Sequence, residues 1–196
     1  MTSGRSAAAV LAAGAGSRYL GSTSKLLADL HGRPLVTWSI ESALRAGFDD
    51  VAVVTGAVDL DGLCPKQAKI LHNPDWASGQ ASSLQVAVRW AMRLDVEALV
   101  VGLGDQPLVP PGAWAAVAAA TASIVTAVLG GRRCPPVRLA RAVWGLLPTE
   151  GDAGARVLMA SHPELVVEMP CAGDPTDVDT LEDLAGLARP REAATS

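Results

Sequence analysis

Residues 11–25 read LAAGAGSRYLGSTSK, and the interpretation of the whole chain turns on this stretch. An apolar run, residues 7–13, leads into it and reads as a buried strand. The stretch then becomes glycine-rich at Gly14, Gly16 and Gly21, and carries two cations, Arg18 and Lys25, with no acid. Glycine lets backbone amides approach a ligand and adopt positive φ. Consecutive amides in such a loop form an anion-binding concavity. Strand, glycine loop and fixed positive charge together suit phosphate. Lys25 is one of only three lysines, with Lys66 and Lys69, against thirteen arginines, so its place in this loop carries weight.

Two familiar phosphate loops do not fit. The dinucleotide fingerprint G-x-G-x-x-G needs a glycine where Tyr19 stands. The Walker A loop needs lysine after its second glycine, and Gly21 is followed by Ser22. A glycine-rich turn joining strand to helix is the plainer alternative.

Working outward, 196 residues with 49% hydrophobic and 18% charged side chains predict one domain, residues 6–188, with a sizeable core and disordered ends at 1–5 and 189–196. The net charge of −4 argues against non-specific nucleic-acid or membrane binding. No apolar run approaches the ~18 residues of a membrane span. The N-terminus imitates a short signal peptide, but cleavage there would delete the first strand and the glycine loop, so the expected compartment is the cytoplasm. Three scattered cysteines, Cys64, Cys134 and Cys171, match neither a zinc site nor a disulfide framework.

Strand and helix patterns alternate after the loop. A helix is predicted from Pro34, with Val36, Ile40, Ala43 and Leu44 on one face. Strands follow at 50–55 and 69–72, then an amphipathic helix at 80–94. Residues 97–104, EALVVGLG, read as a central parallel strand buried on both faces. A helix at 110–122, strands at 124–129 and 137–139 around a turn at 130–136, a helix at 153–161, a strand at 165–168 and a helix at 181–188 complete the chain. The expected fold is an α/β sandwich with a mostly parallel sheet. Such sheets bind ligands beyond the carboxyl ends of their strands, so residues just after strands are the candidates.

Asp105 follows the most apolar strand, in Gly104-Asp105-Gln106-Pro107. A carboxylate there beside a phosphate loop suggests Mg²⁺, which favours one or two carboxylates, waters and substrate phosphates. Capping the turn before Pro107 is the bland alternative. Asp177 and Asp179 form a second pair in DPTDVDTLEDL, where Asp179 with Glu182 also fits a capping box. Asp152 is either a helix cap or a ligand contact. In the segment Asn73-Pro74-x-Trp76-x-x-Gly79-x-x-Ser82-Ser83, one serine would cap the following helix. The three histidines lack metal spacing, and the five tryptophans read as packing residues, with Trp76 in the most polar surroundings.

Together these segments resemble the MobA-like nucleotidyltransferases, and most closely their molybdenum cofactor cytidylyltransferase branch. The marks are LAAGAGSR with the downstream Lys25, HNPDWASGQASSLQ, GDQP after a buried strand, EGDAGARVL and DVDTLEDL, in that order from about Ala7 to Ala188. The resemblance implies a Rossmann-like three-layer α/β/α fold and Mg²⁺-dependent transfer of CMP from CTP to the phosphate of molybdopterin. Guanylyl transfer from GTP, cytidylyl transfer to a sugar or polyol phosphate, and a non-catalytic carrier delivering the cofactor to a molybdoenzyme are the alternatives. It further implies that Leu11, Ala12, Ala13, Gly14, Gly16, Arg18, Lys25, Ser82 and Ser83 bind nucleotide. By the same resemblance Asn73 and Asp152 bind the acceptor, and Asp105, Asp177 and Asp179 bind metal. Arg18, Lys25 and Asp105 would be catalytic. Three departures stand out: Lys25 lies seven residues after Arg18 instead of five, Gln106 replaces a common Met, and Leu181 a common Pro.

Overall fold

The computed structural model describes residues 5–21 and 23–189. Its centre is strand β1 (Ser6–Ala12), seven residues of which all but the first are buried. Such a run, apolar on both faces, is what a central parallel strand requires. Beyond it a two-residue hairpin, β2 (Asp29–Leu30) and β3 (Arg33–Pro34), leads into helix α1 (Leu35–Arg45). Strands β4 (Val51–Thr55) and β5 (Ala68–His72) precede helix α2 (Gln80–Ala91) and strand β6 (Ala98–Leu103). Helix α3 (Pro111–Ala119), strands β7 (Ile124–Leu129) and β8 (Arg132–Ala140), helix α4 (Ala155–Ser161), strand β9 (Val166–Cys171) and helix α5 (Leu181–Ala188) follow.

Seven strands form one sheet in the order β5-β4-β1-β6-β8-β7-β9. The β1 pairs with β4 and β6 are parallel, as are β4 with β5 and β7 with β9. Only β8 runs against its neighbours β6 and β7. That reversal matters for the site, because the first residues of β8 arrive at the edge where the parallel strands end.

The alternation of side chains along β1 divides the core into two layers. Ala8, Val10 and Ala12 face α1 and α3, packing with Val36, Ile40 and Trp114. Ala7, Ala9, Leu11 and Ala13 face the other way, onto Leu84, Ala87 and Val88 of α2 and onto Trp144. Trp114 fits because residue 102 of β6 is glycine: a Cβ there would sit 2.3 Å from the indole. Helix α5 closes a third, smaller cluster, with Leu184 and Leu187 packed against Leu30, Leu35 and Val178. Helices on both faces of the sheet make this the three-layer α/β/α sandwich expected.

Several boundaries differ from expectation for local reasons. Pro34 ends the hairpin and caps α1 instead of starting it. The segment expected as a turn, 130–136, is only Gly130 and Gly131, at φ 53° and 77°, and β8 already begins at Arg132. Helix α2 stops at Ala91, three residues before the predicted end. The predicted disordered ends lie outside the described residues except for Arg5 and Arg189. Arg5 is ordered by ion pairs to Asp49 and Asp50 and by its carbonyl, which accepts from the Glu97 amide.

Candidate active site

A cleft of about 1110 Å³ opens at the carboxyl ends of β1 and β6. It is lined by residues 11–18 of the glycine loop, by Lys25, and by Asp105, Asp177 and Asp179. The loop closes tightly on Lys25. Gly16 adopts φ 65°, and a Cβ on it would lie 2.9 Å from Lys25 Cγ, so both backbone and space demand glycine there. A short helical turn at Lys25–Leu27, with Leu26 buried, fixes the lysine's stem.

The longer spacing between Arg18 and Lys25 does not keep the lysine out of the cleft. Lys25 Nζ donates to Asp105 Oδ2 at 2.6 Å and to Asp179 Oδ1 at 3.1 Å. Arg18 reaches the other Asp179 oxygen at 3.0 Å. Two cations and two carboxylates from three distant segments thus form one chain of ion pairs. The Lys25 side chain is only 11% exposed, whereas that of Arg18 is 77% exposed. Burial works to strip the Lys25 charge, but the Asp105 and Asp179 carboxylates outweigh it and hold its pKa above the usual 10.5.

Asp179 can take part because it is not the helix cap. Thr180 caps α5, its hydroxyl accepting from the Asp183 amide at 3.1 Å, while the Asp183 carboxylate accepts from the Thr180 amide at 2.8 Å. The capping box expected at Asp179 and Glu182 is therefore shifted by one residue, which leaves the Asp179 carboxylate facing the cations. The Asp183 carboxylate also accepts from the Asp179 amide at 3.0 Å, so the cap positions the site residue. Backbone continuity does the same at Asp105, whose carbonyl accepts from the Val178 amide at 3.0 Å. The two acidic segments are stitched together.

Asp177 sits beside this network. Burial first, and then the negative charge of Asp105, with Asp179 adding to it, raises its carboxyl above the usual 3.8, against a hydrogen bond from Gln106 and the charge of Lys25. A folded pKa above the unfolded one means that the folded state binds more protons across that window. Stability then falls as pH rises through it. Asp177→Asn is accordingly expected to raise the melting temperature at neutral pH in chelator-treated buffer. The gain should vanish below about pH 3.8, where unfolded carboxyls are protonated too. Thermal melts of both proteins across pH check this.

The donors around the cleft bear on the metal expectation. Among the described residues no group of three or more His, Cys, Asp or Glu is arranged to hold a metal. Mg²⁺ does not require one, since it takes one or two carboxylates and fills the rest with water and phosphate. Asp105 Oδ1 and Asp177 Oδ1 are buried acceptors with no hydrogen-bond partner. Such atoms are costly unless something binds them. The donor set fits a hard divalent cation.

The remaining candidates divide. Ser83 lines the cleft, as do Gly79 and Asp152. Neither serine caps α2: its first residue follows Gly79, without a side-chain cap. The Ala81 amide instead donates to the Gly151 carbonyl at 2.9 Å, and the Gly151 amide donates to the Ser78 carbonyl at 3.2 Å, pinning the Asp152 loop onto the start of α2. Gly79, at φ 107°, makes room for that loop, because a Cβ would lie 2.6 Å from Asp152 Oδ1. Asn73 is 1% exposed. Its amide donates to the Ser82 and Ser83 hydroxyls at 2.8 and 3.0 Å, and its carbonyl accepts from the Asp75 amide at 3.0 Å. It positions this wall of the cleft and does not face it. Sequence reading missed Arg132, Arg133 and Arg156, which also line the cleft. The first two were assigned to a turn, and nothing in local pattern marks the third.

The chain resembles several known proteins. The model of the MobA-like NTP transferase domain matches residues 8–166. Nicotine blue oxidoreductase of Paenarthrobacter nicotinovorans is 34% identical over 199 residues, covering 91% of this chain and 94% of that protein. A 3-deoxy-manno-octulosonate cytidylyltransferase of Vibrio parahaemolyticus is 36% identical over 95 residues, 44% of this chain and 35% of that protein. Rv0371c of Mycobacterium tuberculosis H37Rv superposes with a TM-score of 0.75 at 27% identity, covering 95% of this chain and 99% of that one. Its complex with manganese superposes at 0.71, covering 94% and 98%.

Proposed function

This chain belongs to the MobA-like NTP transferase family, and from that premise we propose that it transfers CMP from CTP to the phosphate of a molybdopterin-type acceptor, with Mg²⁺ and release of pyrophosphate. The observation that carries the reading is the ion-pair chain Arg18–Asp179–Lys25–Asp105 at the carboxyl edge of the sheet. It gathers two cations and two carboxylates in one cleft, as phosphate and a metal ion would require. The glycine loop amides, Arg18 and Lys25 would hold the triphosphate and offset the charge on the leaving pyrophosphate. Asp105 and Asp179, with Asp177 beside them, would hold Mg²⁺. The metal supplies Lewis-acid polarisation of the phosphate that is attacked. The rest of the work is alignment of two substrates, as in phosphoryl transfer generally. The cytidylyltransferase likeness and the manganese complex of Rv0371c support the nucleotide and the divalent ion.

Ala13 favours CTP over GTP. It lines the cleft, is 4% exposed, and its carbonyl is held by the Ala57 amide at 2.9 Å. The resemblance implies that guanylyl-transferring members typically carry glycine here, and a fixed methyl takes space a purine would need. One methyl discriminates by roughly 1–3 kcal/mol. Offered all four NTPs with Mg²⁺ and molybdopterin, the protein should release pyrophosphate fastest from CTP, and Ala13→Gly should narrow the gap to GTP. Faster release from GTP by the unmodified protein would replace the cytidylyl reading with the guanylyl one. Binding of CTP without pyrophosphate release would favour a carrier.

A second reading comes from the name of the P. nicotinovorans relative, an oxidoreductase. It predicts redox turnover of nicotine blue with no dependence on CTP. The same preparations can be assayed for both.

A further inference from the structure

Arg18, Lys25 and Asp179 meet at the cleft, but what aims Asp179 lies outside it. Asp179 stands between β9 and α5, and Lys25 in the short turn at Lys25–Leu27. Both segments are anchored in one small core. Leu30, just downstream of Lys25, and Val178, beside Asp179, meet Leu35 there, and Leu184 and Leu187 of α5 cover them. The backbone at Val178 is pinned as well. Its own amide donates to the Asp105 carbonyl, and the next amide, that of Asp179, donates to the Asp183 carboxylate, each at 3.0 Å.

Asp183 does more there than a helix cap requires. In a capping box the acidic side chain of the first turn takes up the amide of the cap residue alone. Here Asp183 Oδ2 accepts from the Thr180 amide at 2.8 Å, from the Thr180 hydroxyl at 2.8 Å and from the Asp179 amide at 3.0 Å. The third bond reaches the residue ahead of the cap, so it fixes the direction in which the Asp179 side chain leaves the backbone. Asp183 does not itself line the cleft. Its mount is slight. None of the eight residues of α5 is buried, a helix so short is not stable alone, and Gly186 lies in its interior. Docking by two leucines and the cap at its start keep it in place.

We propose that Asp183 is a positioning residue for the site, acting through Asp179 to aim its carboxylate at Arg18, Lys25 and the divalent ion. This rests on the reading of Asp179 as a metal ligand. With the Asp183 carboxylate gone, the peptide before Asp179 can rotate, and the Asp179 carboxylate no longer converges with Asp105 on one point. The charge of Asp183 is not what matters, because an amide oxygen at the same position would accept the same bonds.

The test titrates Mn²⁺ into the full chain and follows the free ion by electron paramagnetic resonance, without nucleotide and again with α,β-methylene-CTP. Asp183→Ala should weaken Mn²⁺ binding by about 10-fold, the low end of what loss of an orienting partner costs a metal site. Asp183→Asn keeps an acceptor oxygen and should bind as the parent does. Thr180→Ala weakens the start of α5 but leaves the Asp183 carboxylate on the Asp179 amide, so its Mn²⁺ affinity should also stay near the parent's. Parent-like binding by Asp183→Ala overturns the proposal. So does an equal loss in Asp183→Asn, which would assign the effect to charge, or in Thr180→Ala, which would assign it to fraying of the helix. A parent that binds no Mn²⁺ overturns it too. Failure of the analogue to bind, read by calorimetry on the same samples, sinks the nucleotide reading alone, since the titration without nucleotide still decides the role of Asp183.

Discussion

Asp105→Asn is expected to lower pyrophosphate release by about a thousandfold while leaving the fold in place. The side chain is at the end of β6, not within the core, and only its carbonyl joins the backbone network, through the Val178 amide. The substitution keeps that bond and nearly all the volume. It removes one formal charge between Lys25 and the unpartnered Oδ1. A carboxylate that holds a catalytic metal underwrites several kcal/mol of transition-state stabilisation, which is about three powers of ten in rate. Lys25 retains Asp179 as a counter-charge, so the melting temperature should move little. Pyrophosphate release and a thermal melt on the same sample check both halves. Near-parent turnover in folded Asp105→Asn would remove Asp105 from the metal site.

What the sequence made legible, and what it hid, follows from the range of the forces involved. The buried strands were readable because a strand covered on both faces must be apolar throughout, and β1 and β6 are. The glycine loop was readable because positive φ and close approach leave few residue choices, as at Gly16. The direction of β8 was not readable. Pairing depends on the two-glycine turn at 130–131 and on tertiary contacts, and Pro135-Pro136 looked like more turn. With β8 shortened, Arg132 and Arg133 read as loop residues in the sequence. The cap of α5 was misjudged by one residue because Asp179, Thr180, Glu182 and Asp183 offer two overlapping capping frames. The competing demand at Asp179 comes from Arg18 and Lys25, more than 150 residues away in sequence, and the contact with Lys25 spans 154. No local pattern contains that term. Asn73 shows the converse: a motif residue whose polar groups are consumed internally, holding Ser82 and Ser83.

Lys25→Met should be the second large effect, and it separates two roles of one ammonium. As a phosphate ligand, its loss removes a preorganised charge aimed at the leaving group, which costs on the order of 10²–10³ in turnover. As a counter-ion, its loss leaves the Asp105 and Asp179 carboxylates, 19% and 28% exposed, facing each other without the cation that now bridges them. Breaking a fully buried pair costs about 3–5 kcal/mol, and water access at these exposures reduces that to roughly 1–2 kcal/mol. The variant should therefore melt lower than the parent in metal-free buffer. Its pKa lies above 10.5 in the parent, so Lys25 is charged throughout any neutral assay and the comparison needs no pH correction. Mn²⁺ or Mg²⁺ should then raise the melting temperature of Lys25→Met more than that of the parent, because a divalent cation can take the place between the carboxylates that the ammonium fills. Nucleotide with metal should narrow the difference, since triphosphate draws Lys25 off the carboxylates in the parent. Lys66→Met, at an exposed position, should change neither turnover nor the response to metal. Equal metal responses in Lys25→Met and the parent would mean that the ion binds away from Asp105 and Asp179. Parent-like turnover would mean that Arg18 and the loop amides hold the phosphates without Lys25.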